Sequence, residues 1–272
     1  MTPHTMVAPA VVLAFCVACA AANPVEKAQA LVREGRDGEA ATLLRERLRR
    51  QPDDLVARRL LVRVLGVSGD LPQARAEATE LARRMPESSP TPHIELGHAL
   101  ELAHDYDGAL AQYDEAASVA PTSPDGPREG GLRCAHWGLA DAAQPRLEEA
   151  VRRGARDPET WHALGLVRLN LGDVDGAEEA YRAGAASDPK PAESWLGLAT
   201  VAVVRGDAQQ ALVAYQEVLA RRPRYAPAEL GRAWALAKLG RKDDALRALD
   251  RAEQLGAPTA SVARQRSALA SP

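Results

Sequence analysis

Few residues of this sequence combine a reactive side chain with a spacing that chemistry could use. Cys16 and Cys19 have the spacing of a thiol redox pair, but they lie in an uncharged apolar segment outside any βαβ pattern. The stretch from Gly126 to Gly131 is rich in glycine, yet it lacks the preceding strand and the following Lys-Ser/Thr of a phosphate-binding loop. The six histidines show no metal-ligand spacing. We therefore expect a non-enzymatic protein that needs no metal and no cofactor.

The composition is that of an aromatic-poor chain with balanced charge. Hydrophobic residues make up 46% of the sequence but aromatic residues only 4%, which favours helices packed closely through small side chains. Thirty-four basic residues stand against 37 acidic ones with both signs interspersed, so no phosphate-tracking surface follows and we expect no nucleic-acid partner. Cys134, in the body of the chain, is interpreted as a small core residue rather than a redox site.

The first 22 residues have the pattern of an export signal. Residues 6–22 carry no charge, and Asn23-Pro24 and strongly polar helical sequence follow at once. This is the one such run in the sequence, so we expect the chain to meet a membrane only through an N-terminal lipid or signal anchor. The pattern predicts an exported protein, in the periplasm or as an outer-membrane lipoprotein. The alternative is a cytoplasmic protein with an apolar N-terminal tail.

Three fates of this segment fit its residues. Val17-Ala18-Cys19 resembles a bacterial lipobox, in which the cysteine, here Cys19, becomes the lipidated first residue of the mature chain. Ala18-Cys19-Ala20 and Ala20-Ala21-Ala22 suit an ordinary signal peptidase. An uncleaved anchor is the third possibility.

Small residues recur through the rest of the chain with a period close to 34 residues. Glycines are separated by 34 residues, or by twice 34 plus one, and His104 fills the one missing place: Gly35, Gly69, Gly138, Gly172, Gly206 and Gly240. Five residues beyond each of these seven sites stands an alanine: Ala40, Ala74, Ala109, Ala143, Ala177, Ala211 and Ala245. Seven matches in seven places indicate an internal repeat.

The repeat resembles the tetratricopeptide repeat, whose pattern is W-x2-L-G-x2-Y…A-x3-F…P. The clearest units contain Trp161, Leu164, Gly165, Ala177, Tyr181 and Pro189, followed by Trp195, Leu198, Ala199, Ala211, Tyr215 and Pro223. The resemblance implies an all-α fold, a right-handed α-solenoid of about seven helical hairpins, each made of a helix A and a helix B. The predicted repeats are 21–54, 55–88, 90–123, 124–157, 158–191, 192–225 and 226–259, and residues 260–272 follow as a short C-terminal capping helix and tail.

The recurring residues have physical reasons. Where two antiparallel helices cross, small residues let the backbones approach, which is the role expected of the seven alanines and of Gly97. The glycine between the helices takes the left-handed conformation that ends helix A. An Asp often follows it, as at Asp70 and Asp173, where it can cap helix B. Val262 and Leu269 share one helical face, with which the terminal helix would cover the last repeat.

The fourth unit departs furthest from the pattern. It has Pro127 where Trp is usual, Gly130-Gly131 in place of Leu-Gly, and Pro145 inside the expected helix B. These residues lower helix propensity. Two outcomes fit: a weak joint between two blocks of three repeats, or a repeat that its neighbours hold in ordinary geometry.

The resemblance also implies where a protein partner binds. In this family the A helices line a concave groove that usually holds a peptide or helix of the partner, and the second, fifth, ninth and twelfth positions of each repeat face it. In the second to fourth repeats these positions include Arg59, Arg63, His98, Glu101, Asp125 and Arg128, and in the last three they include His162, Leu166, Leu169, Leu196, Val203, Leu230 and Trp234.

One end of the groove is thus predicted to be polar and slightly basic, and the other apolar. The apolar end would suit the apolar face of a partner helix, or an extended hydrophobic segment, with Trp234 as anchor. The alternative is that the terminal helix or tighter packing covers these side chains. Some members of the family clamp a chaperone tail with Lys and Asn; here the matching positions hold Val25, Gln29, Leu60, Thr91 and Glu95, none of them positive. Because Glu95 would also repel a carboxylate, we expect no chaperone-tail clamp.

Two functions fit this sequence. The first is an exported scaffold that places or stabilises an envelope complex, and the layout of a lipobox followed by repeats resembles the pilotin lipoproteins of type IV pili, which bring secretin subunits to the outer membrane. The second is a cytoplasmic adaptor.

Overall fold

The computed structural model describes residues 23–270, and all regular secondary structure in that range is α-helical. Its fifteen helices are α1 (Pro24–Arg33), α2 (Asp37–Arg50), α3 (Leu55–Val67), α4 (Leu71–Ala82), α5 (Thr91–Leu102), α6 (Tyr106–Val119), α7 (Asp125–His136), α8 (Ala140–Arg152), α9 (Pro158–Asn170), α10 (Val174–Ser187), α11 (Glu193–Val204), α12 (Ala208–Arg221), α13 (Ala226–Lys238), α14 (Lys242–Gln254) and α15 (Thr259–Ala270). The predicted signal 1–22, with Cys16 and the candidate lipidation site Cys19, lies outside the described residues, as do residues 271–272.

From α1 to α14 the odd-numbered helices are A helices and the even-numbered ones are B helices, so each predicted repeat holds one hairpin. The prediction of an all-α solenoid is confirmed. Within the described range, no helix is both long and apolar enough to cross a lipid bilayer.

The helices pack only on near neighbours in the sequence. Each A helix packs on its own B helix, and each B helix packs on the next A helix. Some successive A helices also contact each other, most closely α3 with α5 and α9 with α11, whereas no two B helices among residues 23–270 make a comparable contact. The A helices therefore form the shorter, inner side of the stack, and the B helices form the outer side.

The turns between helices A and B depend on a left-handed residue, as predicted. The six glycines at this place have φ between 73° and 83°, and His104, which fills the missing place, has a φ of 63°. Residues other than glycine are uncommon in this region of backbone conformation, so the third repeat carries local strain there. The aspartates that follow cap helix B by accepting a hydrogen bond from the backbone N–H three residues on: Asp70, Asp105, Asp173 and Asp207.

The crossings of helices A and B are built on small residues. All seven repeated alanines are fully buried, with 0% of their surface exposed. Beside them, tyrosines of the B helices lie against glycines of the A helices: Tyr113 on Gly97, Tyr181 on Gly165 and Gly197, and Tyr215 on Gly231. A Cβ atom added at Gly97 would lie 2.5 Å from the Tyr113 ring, which is closer than carbon atoms approach. These pairs fix how closely the two helices approach.

The C-terminal helix α15 caps the last hairpin, as predicted. It packs on α14 and, less extensively, on α13. Val262 is buried there, and Leu269 packs against the apolar cluster of the last two repeats. The apolar end of the stack is therefore covered by the chain itself.

The fourth repeat, α7 and α8, forms an ordinary hairpin between its neighbours. Helix α8 runs through Pro145 without interruption, and Cys134 lies buried in the core, as predicted. Burial raises the pKa of the Cys134 thiol. At Gly126, α7 lies directly on the backbone of α6 near Ala117, so this glycine permits a close approach that other residues would block. The structure therefore agrees with the second outcome, in which neighbouring repeats hold the fourth repeat in ordinary geometry. That the fourth repeat opens more readily than its neighbours stays a prediction.

We predict that Gly126→Ala destabilises the chain by about 2 kcal/mol, because overpacking a closed contact forces the backbone to move. The new Cβ would lie 2.4 Å from the backbone N of Ala117. Gly130→Ala, on the same helix, is the matched control: its Cβ would meet only side-chain atoms, of Arg146 and Tyr113, at 3.2 Å. This control should stay within about 1 kcal/mol of the unsubstituted chain, since alanine also favours the helix. Urea unfolding of both variants measures the two effects. Equal stability of the two variants would contradict the close contact of Gly126 with the backbone of α6.

Candidate partner-binding groove

The predicted groove positions lie on the A helices, along the inner side of the stack. Two parts of this side differ in chemistry: α3, α5, α7 and the start of α9 carry charged residues, and the rest of α9 with α11 and α13 carries apolar ones. The two parts meet on α9, in the fifth repeat.

In the charged part, two arginines of α3 flank a buried carboxylate of α5. Arg59 donates from Nε to Glu95 Oε1 at 2.7 Å, and Arg63 donates to both carboxylate oxygens, with Nη2 to Oε1 at 3.1 Å. The Glu95 side chain is 0% exposed, whereas those of Arg59 and Arg63 remain 46% and 43% exposed. A buried carboxylate is costly unless it is paired, so Glu95 depends on these arginines. The expectation that Glu95 would repel a carboxylate is therefore wrong, because two guanidiniums outweigh its charge.

A second group of charges joins α5, α7 and α9. His98 Nε2 lies 3.1 Å from Glu129 Oε2, and Arg128 donates to Glu129 Oε1 at 2.8 Å. Arg128 also donates to Asp157, the N-cap of α9, and to Glu159 in its first turn. Burial acts to raise the pKa of Glu129, but the hydrogen bond from His98 and the positive charge of Arg128 outweigh it, so this pKa lies below its ordinary value.

Arg133 of α7 completes the second group. Its Nε lies 3.3 Å from Glu101 on α5, and its Nη2 lies 3.5 Å from Glu129. We refer to all these pairs across α3, α5, α7 and α9 as the charge ladder. Asp125, also predicted for the groove, lies exposed at the start of α7 and accepts a hydrogen bond from the Ser123 hydroxyl. The predicted basic end is thus largely a set of ion pairs that tie neighbouring A helices together.

Sequence reasoning missed the pairings and the contribution of Arg133. The available signal was spacing: Glu95 follows Arg63 by 32 residues, and Glu129 follows His98 by 31. Separations close to one repeat place two residues side by side on successive A helices. Opposite charges at such separations are therefore candidates for ion pairs across repeats.

The apolar part is less exposed than a run of free Leu and Val side chains would be. Leu166 on α9 is exposed, at 41%. The other predicted apolar residues are half-buried and contact the core clusters: Leu169, Leu196, Val203, Leu230 and Trp234. His162 packs with its ring centroid 5.7 Å from that of Tyr181, and burial lowers the pKa of His162. Burial thus favours the neutral form of His162, which belongs with the apolar part.

Helix α15 covers the C-terminal end of the apolar part. Gln265 donates from Nε2 to the backbone O of Leu230 at 3.3 Å, and Leu269 packs in the same cluster as Leu230 and Trp234. A cleft between α13 and α15 leaves one side of Trp234 open, next to Lys238 and Leu269. The terminal helix therefore covers Trp234 in part, while Leu166 remains free.

Comparison with known proteins agrees with this architecture. Two family models of the tetratricopeptide repeat match the chain, one over residues 138–192 and 162–223 and the other over residues 203–269. No curated protein sequence matches the chain at a significant level. The matched residues run from the turn of the fourth repeat into the terminal helix, and the same hairpin recurs in the first three repeats.

Several solved structures are similar in fold. YrrB, described as a TPR protein with an unusual peptide-binding site, is 18% identical with a TM-score of 0.62, over 70% of this chain and 97% of YrrB. The C-terminal part of a TPR repeat-containing protein from Cytophaga hutchinsonii is 15% identical with a TM-score of 0.64, over 88% of this chain and 98% of the other. MamA is 21% identical with a TM-score of 0.57, over 59% and 94%. At these identities the likeness is one of fold.

We predict that Asp157→Ala lowers the free energy of unfolding by more than the loss of a helix cap, about 1 kcal/mol. Asp157 caps α9 through the Thr160 N–H and hydroxyl and also bonds Arg128. Burial acts to raise its pKa, but these hydrogen bonds lower it from 3.8 to about 2. A carboxyl with a lowered folded-state pKa stabilises the fold above its ordinary pKa, so the contribution is present above about pH 4 and is lost as the pH falls towards 2.

Asp207→Ala is the matched control, because Asp207 caps α12 and forms no hydrogen bond or ion pair with an arginine among the described residues. Unfolding of both variants at pH 7 should show the larger loss for Asp157→Ala, by less than about 1 kcal/mol because solvent screens the partly exposed pair with Arg128. The difference between Asp157→Ala and the unsubstituted chain should shrink between pH 4 and pH 2. A difference independent of pH would contradict the lowered pKa of Asp157, and equal losses in the two variants would contradict the role assigned to Arg128.

Proposed function

We propose that this chain of tetratricopeptide repeats is a non-catalytic scaffold that binds a segment of a partner protein along the inner side of its A helices. The observation that carries this proposal is the open apolar surface at Leu166. Leu166 on α9 is exposed, and the neighbouring helix α11 carries the half-buried Leu196 and Val203. Helix α15 packs on α13 and α14, leaving this middle part of the inner side to a partner.

The inner side suits a helix or an extended segment with mixed chemistry. An apolar face of such a segment would lie on α9 and α11, and polar residues would lie on the charge ladder. The similarity in fold to YrrB, which has a peptide-binding site, supports a peptide-like ligand. A partner segment reaching the C-terminal end would meet Trp234 through the cleft beside α15.

Leu166→Ser should weaken partner binding about tenfold or more, because it places a hydroxyl in an apolar contact. The free energy of unfolding should change by about 0.5 kcal/mol or less, since the Leu166 side chain is exposed. Polar substitution of Leu196 or Trp234 should also weaken binding, but at Trp234 it will in addition loosen α15.

The measurement is crosslinking in the native cell from a photoreactive residue placed at Leu166, with identification of the captured protein. Val213 on α12, which is 48% exposed on the outer side, is the control position. The proposal requires a specific product from Leu166 that is absent from Val213 and reduced by substitution of Leu196. Equal crosslinking from the two positions would contradict binding of the partner along the inner side.

For location, we propose export to the cell envelope with Cys19 as a lipid anchor, and a role in the assembly or stability of an envelope complex. The support is the uncharged segment 6–22 and the lipobox-like Val17-Ala18-Cys19. The narrower comparison with pilotin lipoproteins of type IV pili is based on the layout of a lipobox followed by repeats. A cytoplasmic adaptor is the competing assignment.

Cell fractionation of a Cys19→Ala variant tests the location. We expect the unsubstituted chain in the membrane fraction and the variant to lose that attachment, because only the thiol of Cys19 would accept the lipid. Cys16→Ala is the matched control and should remain in the membrane fraction. A periplasmic soluble protein in all three cases would indicate ordinary cleavage, and a cytoplasmic one would overturn export altogether.

A further inference from the structure

Arg59 and Arg63 form a cationic pair with unusual support. They lie one helical turn apart on α3, where two like charges repel each other unless a third group intervenes. Glu95 is that group: it is fully buried on α5 and accepts hydrogen bonds from Nε of both arginines. The carboxylate therefore holds the two guanidiniums beside each other on the inner side of the stack.

The charges of this pair do not cancel. Arginine is positive at any physiological pH, so two guanidiniums against one carboxylate leave one net positive charge. Elsewhere in the charge ladder the balance is reversed, because Arg128 and Arg133 face four carboxylates: Glu101, Glu129, Asp157 and Glu159. Within the charge ladder, net positive charge thus falls at Arg59 and Arg63.

Both arginines also keep donors available. Their bonds to Glu95 use the Nε and Nη2 atoms, and Nη1 of each has no hydrogen-bond partner among the described residues. Nearly half of each side chain is exposed. A guanidinium fixed in orientation by a buried carboxylate loses little entropy when it binds a second oxyanion, and its planar edge matches a carboxylate.

We infer that Arg59 and Arg63 bind the side-chain carboxylate of an Asp or Glu in the partner segment, with Glu95 as the residue that positions them. This inference rests on the proposed binding of a partner along the inner side. It supplies a register for that segment: an acidic residue lies over the second and third repeats, and apolar residues lie over the fifth and sixth. The single net charge suits one carboxylate better than the continuous phosphates of nucleic acid.

Selection from a displayed library of random peptides on the full chain tests the inference without knowledge of the natural partner. Peptides selected by the unsubstituted chain should be enriched in Asp or Glu at one position, together with apolar residues. Arg59→Gln and Arg63→Gln should each remove the acidic enrichment and weaken a selected peptide about tenfold, as expected for loss of a hydrogen bond between charged groups. Replacing that acidic residue of the peptide by its amide should have the same effect.

Three further variants serve as controls. Arg75→Gln on α4 makes the same change in net charge at an exposed position of a B helix, and it should keep the enrichment. Arg59→Lys and Arg63→Lys retain the charge beside Glu95, so they should fold even where a Gln variant does not. They should nevertheless bind the selected peptide more weakly, because lysine lacks the planar fork of donors.

The outcomes separate this inference from the proposed function. If the chain selects no peptides, the groove proposal itself fails. If it selects apolar peptides without acidic enrichment, or if the Gln variants keep that enrichment, the groove stands and the carboxylate site is overturned. Tighter binding of a single-stranded oligonucleotide, with the same dependence on Arg59 and Arg63, would also overturn it in favour of a phosphate ligand.

Discussion

Each hairpin of this chain can close only if its two helices cross over a residue no larger than alanine. The seven repeated alanines are buried without residual exposure, and glycines beneath Tyr113, Tyr181 and Tyr215 bring the backbones close at neighbouring points. Close packing of this kind tolerates little change in volume. The left-handed turn, followed in four repeats by a capping aspartate, then sets where helix B begins, so the same hairpin recurs along the stack. The inner side with its binding positions is a consequence of that regularity.

On the inner side, successive A helices are joined by different kinds of contact in the two halves of the stack. In the second to fifth repeats, charged residues of successive A helices pair across the interface. Glu95 is fully buried in such a pairing, with Arg59 and Arg63. From the fifth repeat onward, Leu, Val and Trp side chains serve instead, and α15 covers the last of them. A partner that follows the inner side would therefore encounter a polar surface and an apolar one in a fixed order.

The period and the residue types predicted the fold almost entirely, because the positions that matter repeat. The glycine turns, the buried alanines, the Asp caps, the buried Cys134 and the terminal helix were all readable from single residues at fixed offsets. The binding surface was less predictable. Whether Arg63 is free or paired depends on the side-chain conformation of a residue one repeat away, and the exposure of Trp234 depends on where α15 folds back. Glu95 illustrates the difference: its position was known, but its electrostatic effect was judged without its partners.

The restriction of contacts to near neighbours bears on how the chain reaches this structure. Helices α1 to α15 contact partners no more than two elements away in every extensive pairing. Contacts between residues close in sequence require only short loops to be closed, so such a topology folds quickly and structure can begin at any hairpin and spread. The first and last helices never need to find each other. A nascent polypeptide can consequently assemble this stack one hairpin at a time, beginning with the hairpins that are synthesised first.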